Sequence, residues 1–192
     1  MVNLENYSIS RKFNGITVLL RSARMQDKKL VWEGYKNAPV EFYQYIPPVT
    51  KALVDQWYPK DKGLDFTSIL PLNALKINES GTIFAFVGNI SLVFEHMVRM
   101  SHVAMMGLSV LPPYQNLGIG TFLTQQVIKI ASLMPKLKKL ELQVCAKNIV
   151  ARHLYSKCGF TEEGVHKKRW LYPNGEFDDL ISMGLFLPEG DS

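Results

Sequence analysis

One stretch constrains this chain more than any other. From Leu108 it reads Leu-Ser-Val-Leu-Pro-Pro-Tyr-Gln-Asn-Leu-Gly-Ile-Gly-Thr, ending at Thr121. Behind it, Ile119, Phe122, Leu123, Val127, Ile130, Ala131 and Met134 recur at helical spacing until Pro135 stops the run. In front of it, Gly107 to Leu111 reads as the end of a strand, and Pro112-Pro113 ends ladder pairing. The order is therefore strand, glycine loop, helix. The first N–H groups of a helix lack intrahelical partners and, with the helix dipole, favour an anion, while glycines admit a phosphate to the backbone. Gly118-Ile119-Gly120 lacks the third glycine of a dinucleotide fingerprint, and no Gly-Lys-Ser/Thr follows as in a Walker loop. A tight turn that packs helix on sheet would give the same pattern, so the loop alone leaves both readings open.

A second run lies downstream: Asn148-Ile-Val-Ala151-Arg-His-Leu154-Tyr155-Ser-Lys-Cys-Gly159-Phe160-Thr-Glu-Glu163-Gly164. Together with Val110-x-Pro112-x-x-Gln115-x-x-Gly118-x-Gly120, it resembles the two signatures of the GCN5-related N-acetyltransferase superfamily, in the right order. The resemblance covers residues 98–187 and is nearest to the branch of spermidine, amino-acid and ribosomal-protein N-terminal acetyltransferases. It implies an acyl-CoA N-acyltransferase fold, an α/β (α+β mixed) architecture with a central, mostly antiparallel sheet flanked by helices.

One domain is expected over residues 1–192, with residues 1–14 as an N-terminal arm. Hydrophobic residues make up 47%, which argues against disorder, and no apolar run approaches the ~20 residues of a membrane span. No signal peptide is read at the N-terminus. Cys145 and Cys158 give neither a disulfide framework nor metal-ligand spacing, so no metal is expected and a reducing, cytoplasmic setting is. The net charge of +5 is scattered apart from Lys136–Lys139 and His166–Arg169, so an anionic small ligand is favoured over nucleic acid.

The expected order is βααβββαβαββ. A strand is read at 16–21, a helix at 26–35, and a second helix capped by Thr50 and reaching Trp57. Residues 59–71 read as loop. Strands follow at 74–78, 82–94 and 98–110, with a turn at Glu79-Ser80-Gly81. After the helix from Ile119 come a strand at 139–146 and a helix at 149–158, with Asn148 as N-cap and Gly159 at the C-terminal end. Two last strands, 160–171 and 177–187, join through Tyr172-Pro-Asn174-Gly175.

By resemblance, the loop Gln115, Asn116, Leu117, Gly118, Ile119, Gly120 and Thr121 holds the pyrophosphate of acetyl-CoA. The strand edge at Leu108, Ser109 and Val110 pairs with the pantetheine arm, as a strand edge pairs with a peptide. A backbone N–H near Val110 is a candidate donor to the thioester carbonyl. Asn148 is a second contact to the arm as well as a cap. Tyr155 is the candidate general acid, protonating the leaving thiolate, and it lies seven residues after Asn148 on nearly the same side of one helix. Its place in the stripe Ala151, Leu154, Tyr155 and Cys158 equally suits a core aromatic. The general base is where this chain departs from the family pattern: relatives carry Ala-Glu-x-Gly, and here Ala104-Met105-Met106-Gly107 puts methionine at the glutamate position. His102, Glu95 and Glu141 are the alternatives, with a water chain. Trp170, Tyr172, Asp178 and Asp179 surround the last hairpin, where relatives close the substrate pocket.

The expected activity is acetyl transfer from acetyl-CoA to a primary amine (polyamine, amino acid or peptide N-terminus) by direct attack. The partners are CoA and a small-molecule or peptide amine, without nucleic acid or membrane, and a homodimer is compatible with the resemblance. The competing reading, supported by Met105, is a non-catalytic acyl-CoA-binding regulatory or partner-binding module on the same fold.

Overall fold

The computed structural model describes residues 4–60 and 63–188. Its strands are β1 (Ser8–Phe13), β2 (Ile16–Ser22), β3 (Ile69–Ile77), β4 (Ile83–Phe94), β5 (Val103–Val110), β6 (Lys139–Cys145), β7 (Thr161–Leu171) and β8 (Phe177–Phe186). They form one sheet in the order β1-β2-β3-β4-β5-β6-β8-β7. β5 and β6 pair parallel; the other neighbours in the sheet pair antiparallel. The helices are α1 (Lys28–Lys36), α2 (Lys51–Trp57), α3 (Ile119–Ser132) and α4 (Ile149–Lys157). The mixed, mostly antiparallel sheet flanked by helices is the architecture expected from the sequence.

Each face of the sheet buries its own core. α3 and α4 cover one face, where Ile119, Phe122, Leu123 and Val127 meet Leu72, Ile90, Ala104, Met106, Leu140 and Leu142. α1 and α2 cover the other, where Val31, Tyr35, Val54 and Tyr58 pack with Leu75, Phe86 and Leu111. Each fully buried aliphatic side chain contributes on the order of 1.5–3 kcal/mol relative to exposure. Thr50 caps α2 by accepting the Leu53 N–H at 3.2 Å, and Gly159 ends α4 with φ of 96°.

The structure corrects three expectations. Residues 8–13 are not an arm but strand β1, paired with β2 from Ser8–Arg21 to Phe13–Ile16. Asn14-Gly15 makes the turn with φ of 39° and 84°, a two-residue hairpin that the Asn-Gly pair favours. β1 is exposed except at Phe13 and so lacks the alternating apolar pattern by which strands are read. Residues 1–3 of the expected arm lie outside the described residues. The expected loop at 59–71 instead ends in strand from Ile69; Pro71 fits there because it lies past the last β2 pair, Ser22–Leu72, where its nitrogen owes no ladder bond. β5 begins at Val103 rather than at residue 98, since Val98–Met100 forms a 3-10 turn that carries the hairpin.

Candidate active site

The site begins where two strands part. β5 and β6 pair only at Val103–Lys139, Ala104–Leu140 and Met105–Glu141. Beyond Met105, β5 stays with β4 while β6 stays with β8, and a wedge opens between them. A bulge at Val87 in β4, between the pairs Ala74–Gly88 and Leu75–Phe86, adds twist beside the parting end of β5. Gly88 fits there only as glycine: a Cβ on it would meet the Ser109 carbonyl oxygen, with the Val110 Cα 2.9 Å away.

Strand alternation assigns the free backbone groups. The Leu111 N–H donates to the Val87 carbonyl, and the Glu95 N–H donates to the Val103 carbonyl. The odd-numbered residues of β5 therefore face β4, and Met106, Leu108 and Val110 turn their N–H and C=O groups into the wedge. The Gln115 Nε2 donates to the Val110 carbonyl at 2.8 Å, which ties the loop to this edge. The Leu108 and Val110 side chains point toward α3, and the Ser109 hydroxyl points to the opposite face, 2.9 Å from the Tyr35 hydroxyl.

The loop between β5 and α3 is built from two left-handed residues, Asn116 at φ 58° and Gly118 at φ 80°. Gly118 is the N-cap of α3, with no side-chain cap bond, so the first N–H groups of the helix stay open. A Cβ on Gly118 would meet nothing within 4 Å, whereas one on Gly120 would lie 2.8 Å from the Leu154 Cδ1. Gly118 thus answers to the loop's backbone angle and fronts open space, while Gly120 allows α3 and α4 to approach. An anion with an extended, amide-bearing arm fits this frame: uncapped N–H groups stand at the helix end, and a free strand edge runs on from them.

Between the parted strands lies a cleft of about 470 Å³ lined by Gly107, Leu108 and Val110 of β5, Gln143 and Cys145 of β6, and Asn148 and Tyr155 of α4. Tyr45 and Ile46 close its mouth; the Tyr45 hydroxyl reaches the Lys147 carbonyl, and its ring stands edge-on to Tyr172 at 6.2 Å. The Asn148 Oδ1 accepts the Ala151 N–H at 3.1 Å and caps α4. Tyr155 is 7% exposed, and burial raises its phenol to about 12. Its hydroxyl has no hydrogen-bond partner among the described residues, although the ring packs on Phe160 at 6.0 Å. The cleft floor therefore holds a protonated, unengaged hydroxyl.

The structure brings Gln115, Asn116, Gly120, Leu108, Val110, Asn148 and Tyr155 together around one cleft, while Ser109 lines its mouth. The three candidate bases stand apart from it. His102 is exposed at the start of β5, where its carbonyl accepts the Lys138 and Lys139 N–H groups, roughly 16 Å from Gly107 at 3.3 Å per residue. Glu95 lies beside it at the same sheet end. Glu141 stands where the strands part, but the Lys139 ammonium holds it at 2.8 Å and also holds Glu163 at 2.8 Å. Sequence reasoning missed Tyr45 and the Tyr35–Ser109 contact, because Tyr45 is brought over by the chain between α1 and α2 and Tyr35 by the packing of α1 on the sheet.

The acidic side of the last hairpin is structured as well. Asp178 accepts the Tyr172 hydroxyl at 2.6 Å and the Lys147 N–H at 3.1 Å. Burial pushes its pKa up, but these bonds and the Asp179 N–H outweigh it and hold the carboxyl below its usual range. Lys167 is paired with Asp179, Lys147 with Glu176 and Arg152 with Glu162.

Residues 36–160 match the Acetyltransferase (GNAT) family, and the chain belongs to it. It is 32% identical over 97 residues to the L-amino acid N-acetyltransferase of Escherichia coli (strain K12), over 50% of this chain and 59% of that protein. It is 33% identical over 72 residues to the spermidine N(1)-acetyltransferase of Vibrio cholerae, over 38% of this chain and 41% of that one. The matched stretch thus spans about half the length of these curated relatives. The crystal structure of spermidine N-acetyltransferase from Vibrio cholerae in complex with CoA and spermine superposes with a TM-score of 0.70, at 20% identity, over 88% of this chain and 95% of that one. At that identity the likeness is one of fold. Among the described residues, no helix is long and apolar enough to cross a membrane.

Proposed function

We propose that this chain is an N-acetyltransferase that moves the acetyl group of acetyl-CoA to a primary amine by direct attack. The observation that carries this is the wedge between β5 and β6, with an uncapped helix N-terminus at one end and the Tyr155 hydroxyl at its floor. Acetyl-CoA supplies the acetyl group as an activated thioester. The N–H groups at Gly118 to Thr121 receive the pyrophosphate, and the Leu108 and Val110 edge aligns the pantetheine amides. The Val110 N–H polarises the acetyl carbonyl where negative charge develops. As the N–C bond forms and the C–S bond breaks, Tyr155 donates its proton toward the departing sulfur, and the proton lost by the attacking nitrogen passes to water and restores Tyr155. The thiolate of a free thiol near pKa ~8.5 is a weaker base than a phenolate whose phenol lies near 12, but the same burial raises the thiol held beside it, so donor and acceptor shift together.

The acceptor is a small or peptide amine rather than nucleic acid, because the basic residues are scattered along the sequence and Lys147, Arg152 and Lys167, which flank the last hairpin, are each held in an ion pair. A cytoplasmic setting suits the two unpaired cysteines, Cys145 buried and Cys158 half-buried. Incubation with acetyl-CoA and a mixed amine panel tests the reading through free-thiol release. Amine-dependent release is expected. Tight CoA binding with no release against any amine would replace it with the non-catalytic binding module that Met105 suggests.

A further inference from the structure

The sheet carries a second cavity on the face opposite α3. It measures about 390 Å³ and lies between α1–α2 and the β3–β4 face. Trp57, Leu64, Ile69 and Pro71 form apolar walls, and Asn73 and Asn89 stand on its floor. It neighbours the wedge across the β4–β5 pairing. Asn89 is paired with Ser109 and Ser91 with Gly107, and Gly107 lines the wedge. A Cβ on Gly107 would come within 3.4 Å of the Ser91 Oγ.

The cavity offers no cation and a single carboxylate among its described lining residues. That carboxylate, Asp65, is exposed at the rim and accepts both the N–H and the hydroxyl of Thr67. The charges behind the floor neutralise each other: Asp27 accepts from Arg21 and from the Asn73 Nδ2. The second Asn73 N–H goes to the Tyr58 hydroxyl, which leaves the Asn73 Oδ1 as a free acceptor. Tyr35 donates to the Asn89 Oδ1, which leaves the Asn89 Nδ2 as a free donor. One neutral donor and one neutral acceptor match an amide. A polyamine would place further cations against apolar walls, and a free amino acid would bring a carboxylate with no cation to meet it.

The wedge points the same way. Its described lining holds no carboxylate or imidazole to take a proton from an ammonium, and the carboxylate at its mouth, Glu41, is exposed to solvent. An α-amino group, near pKa ~7.7–8.0, is partly neutral without help, whereas an alkylamine near ~10 is not. We propose that this cavity binds the acceptor, and that the acceptor is an α-amine on an uncharged body with an apolar side chain and an amide, the chemistry of a hydrophobic peptide N-terminus. This rests on the acetyl-transfer reading of the wedge.

Phenylalanine amide, phenylalanine and spermidine titrated by calorimetry into CoA-saturated protein, with thiol release from acetyl-CoA measured in parallel, test it. The amide should bind at least ~10-fold more tightly than either charged probe, and Leu64→Lys should reverse the order of amide and free amino acid with CoA affinity unchanged. Equal or tighter binding of spermidine or phenylalanine overturns the inference, as does a Leu64→Lys variant that folds and keeps the original order. The expected binding order without any thiol release would leave the cavity assignment standing and defeat the acetyl-transfer reading. Thiol release fastest with spermidine would do the reverse.

Discussion

Met105 and Glu141 face each other at the last position where β5 and β6 remain paired. One residue further on, the strands separate, and every group assigned to acetyl transfer lies beyond that point. The pair also explains why no acid reaches the thioester from this side. Met105 has no proton to exchange, and Glu141 is drawn back to Lys139. Under the proposed acetyl transfer, the acceptor amine arrives already neutral or passes its proton to water.

Gly118 offers a direct test of the anion site. Its φ of 80° is one that Asn and Asp tolerate better than other residues, and space around it is open. Gly118→Asn should fold and bind CoA within a few-fold of the parent. Gly118→Asp places a like charge beside the pyrophosphate and should weaken CoA binding by ~10-fold or more relative to Gly118→Asn, an effect that added salt reduces. Equal CoA affinity of the two variants by calorimetry would move the pyrophosphate elsewhere.

The second half of the fold was legible because its periodic runs are long and its turns carry strong signals. Asn148 and Gly159 cap α4, and Gly175 turns the last hairpin with φ of 85°, as their residue types suggest. The first half was less legible for physical reasons. β1 is an exposed edge whose only advertisement is Asn14-Gly15, and Pro71 disguises the start of β3. Of the site, the loop and Tyr155 could be placed from motifs. The cleft mouth at Tyr45 could not, because Tyr45 meets Lys147 from 102 residues away, and the cavity between α1–α2 and the β3–β4 face could not, because it joins side chains from Ala23 to Ser91 across helices, loop and sheet.

Asp178 should make stability depend on pH. Its folded pKa lies below the unfolded value of ~3.9, so its stabilisation is present above that pH and is lost as pH falls through the folded value. Asp178→Asn should cost about 1.5–3 kcal/mol at pH 7, the scale of a hydrogen bond to a charged group. Urea unfolding of parent and variant should converge as the pH is lowered below 3. A gap that stays constant over that range would show that the carboxylate's charge is not what holds the hairpin.

Asp27 sits behind the floor of the cavity between α1–α2 and the β3–β4 face, bonded to Asn73. It is 4% exposed and accepts from Arg21, from the Arg24 N–H at 2.9 Å and from Asn73 at 2.9 Å. Asp27→Ala leaves Arg21 as a buried, uncompensated cation and should destabilise the fold by about 3–5 kcal/mol. Chemical denaturation measures this, and a loss below about 1 kcal/mol would mean that water reaches Arg21.

Tyr155→Phe separates chemistry from packing. The ring lies against Phe160 and fills the space under α4, and phenylalanine preserves that contact. The hydroxyl has no partner among the described residues, so its removal strands nothing, and the melting temperature should be unchanged or slightly higher. CoA affinity should stay within a few-fold, since the proton matters as the thiolate forms and not before. The turnover rate should fall by ~10²-fold or more, the scale of a positioned acid. With the phenol raised to about 12, the parent keeps its proton through neutral and mildly alkaline pH, so no fall in rate from Tyr155 ionisation is expected there. A variant with full turnover would remove Tyr155 from the reaction and leave solvent as the proton source. A variant with lost stability would show that the hydroxyl serves the core.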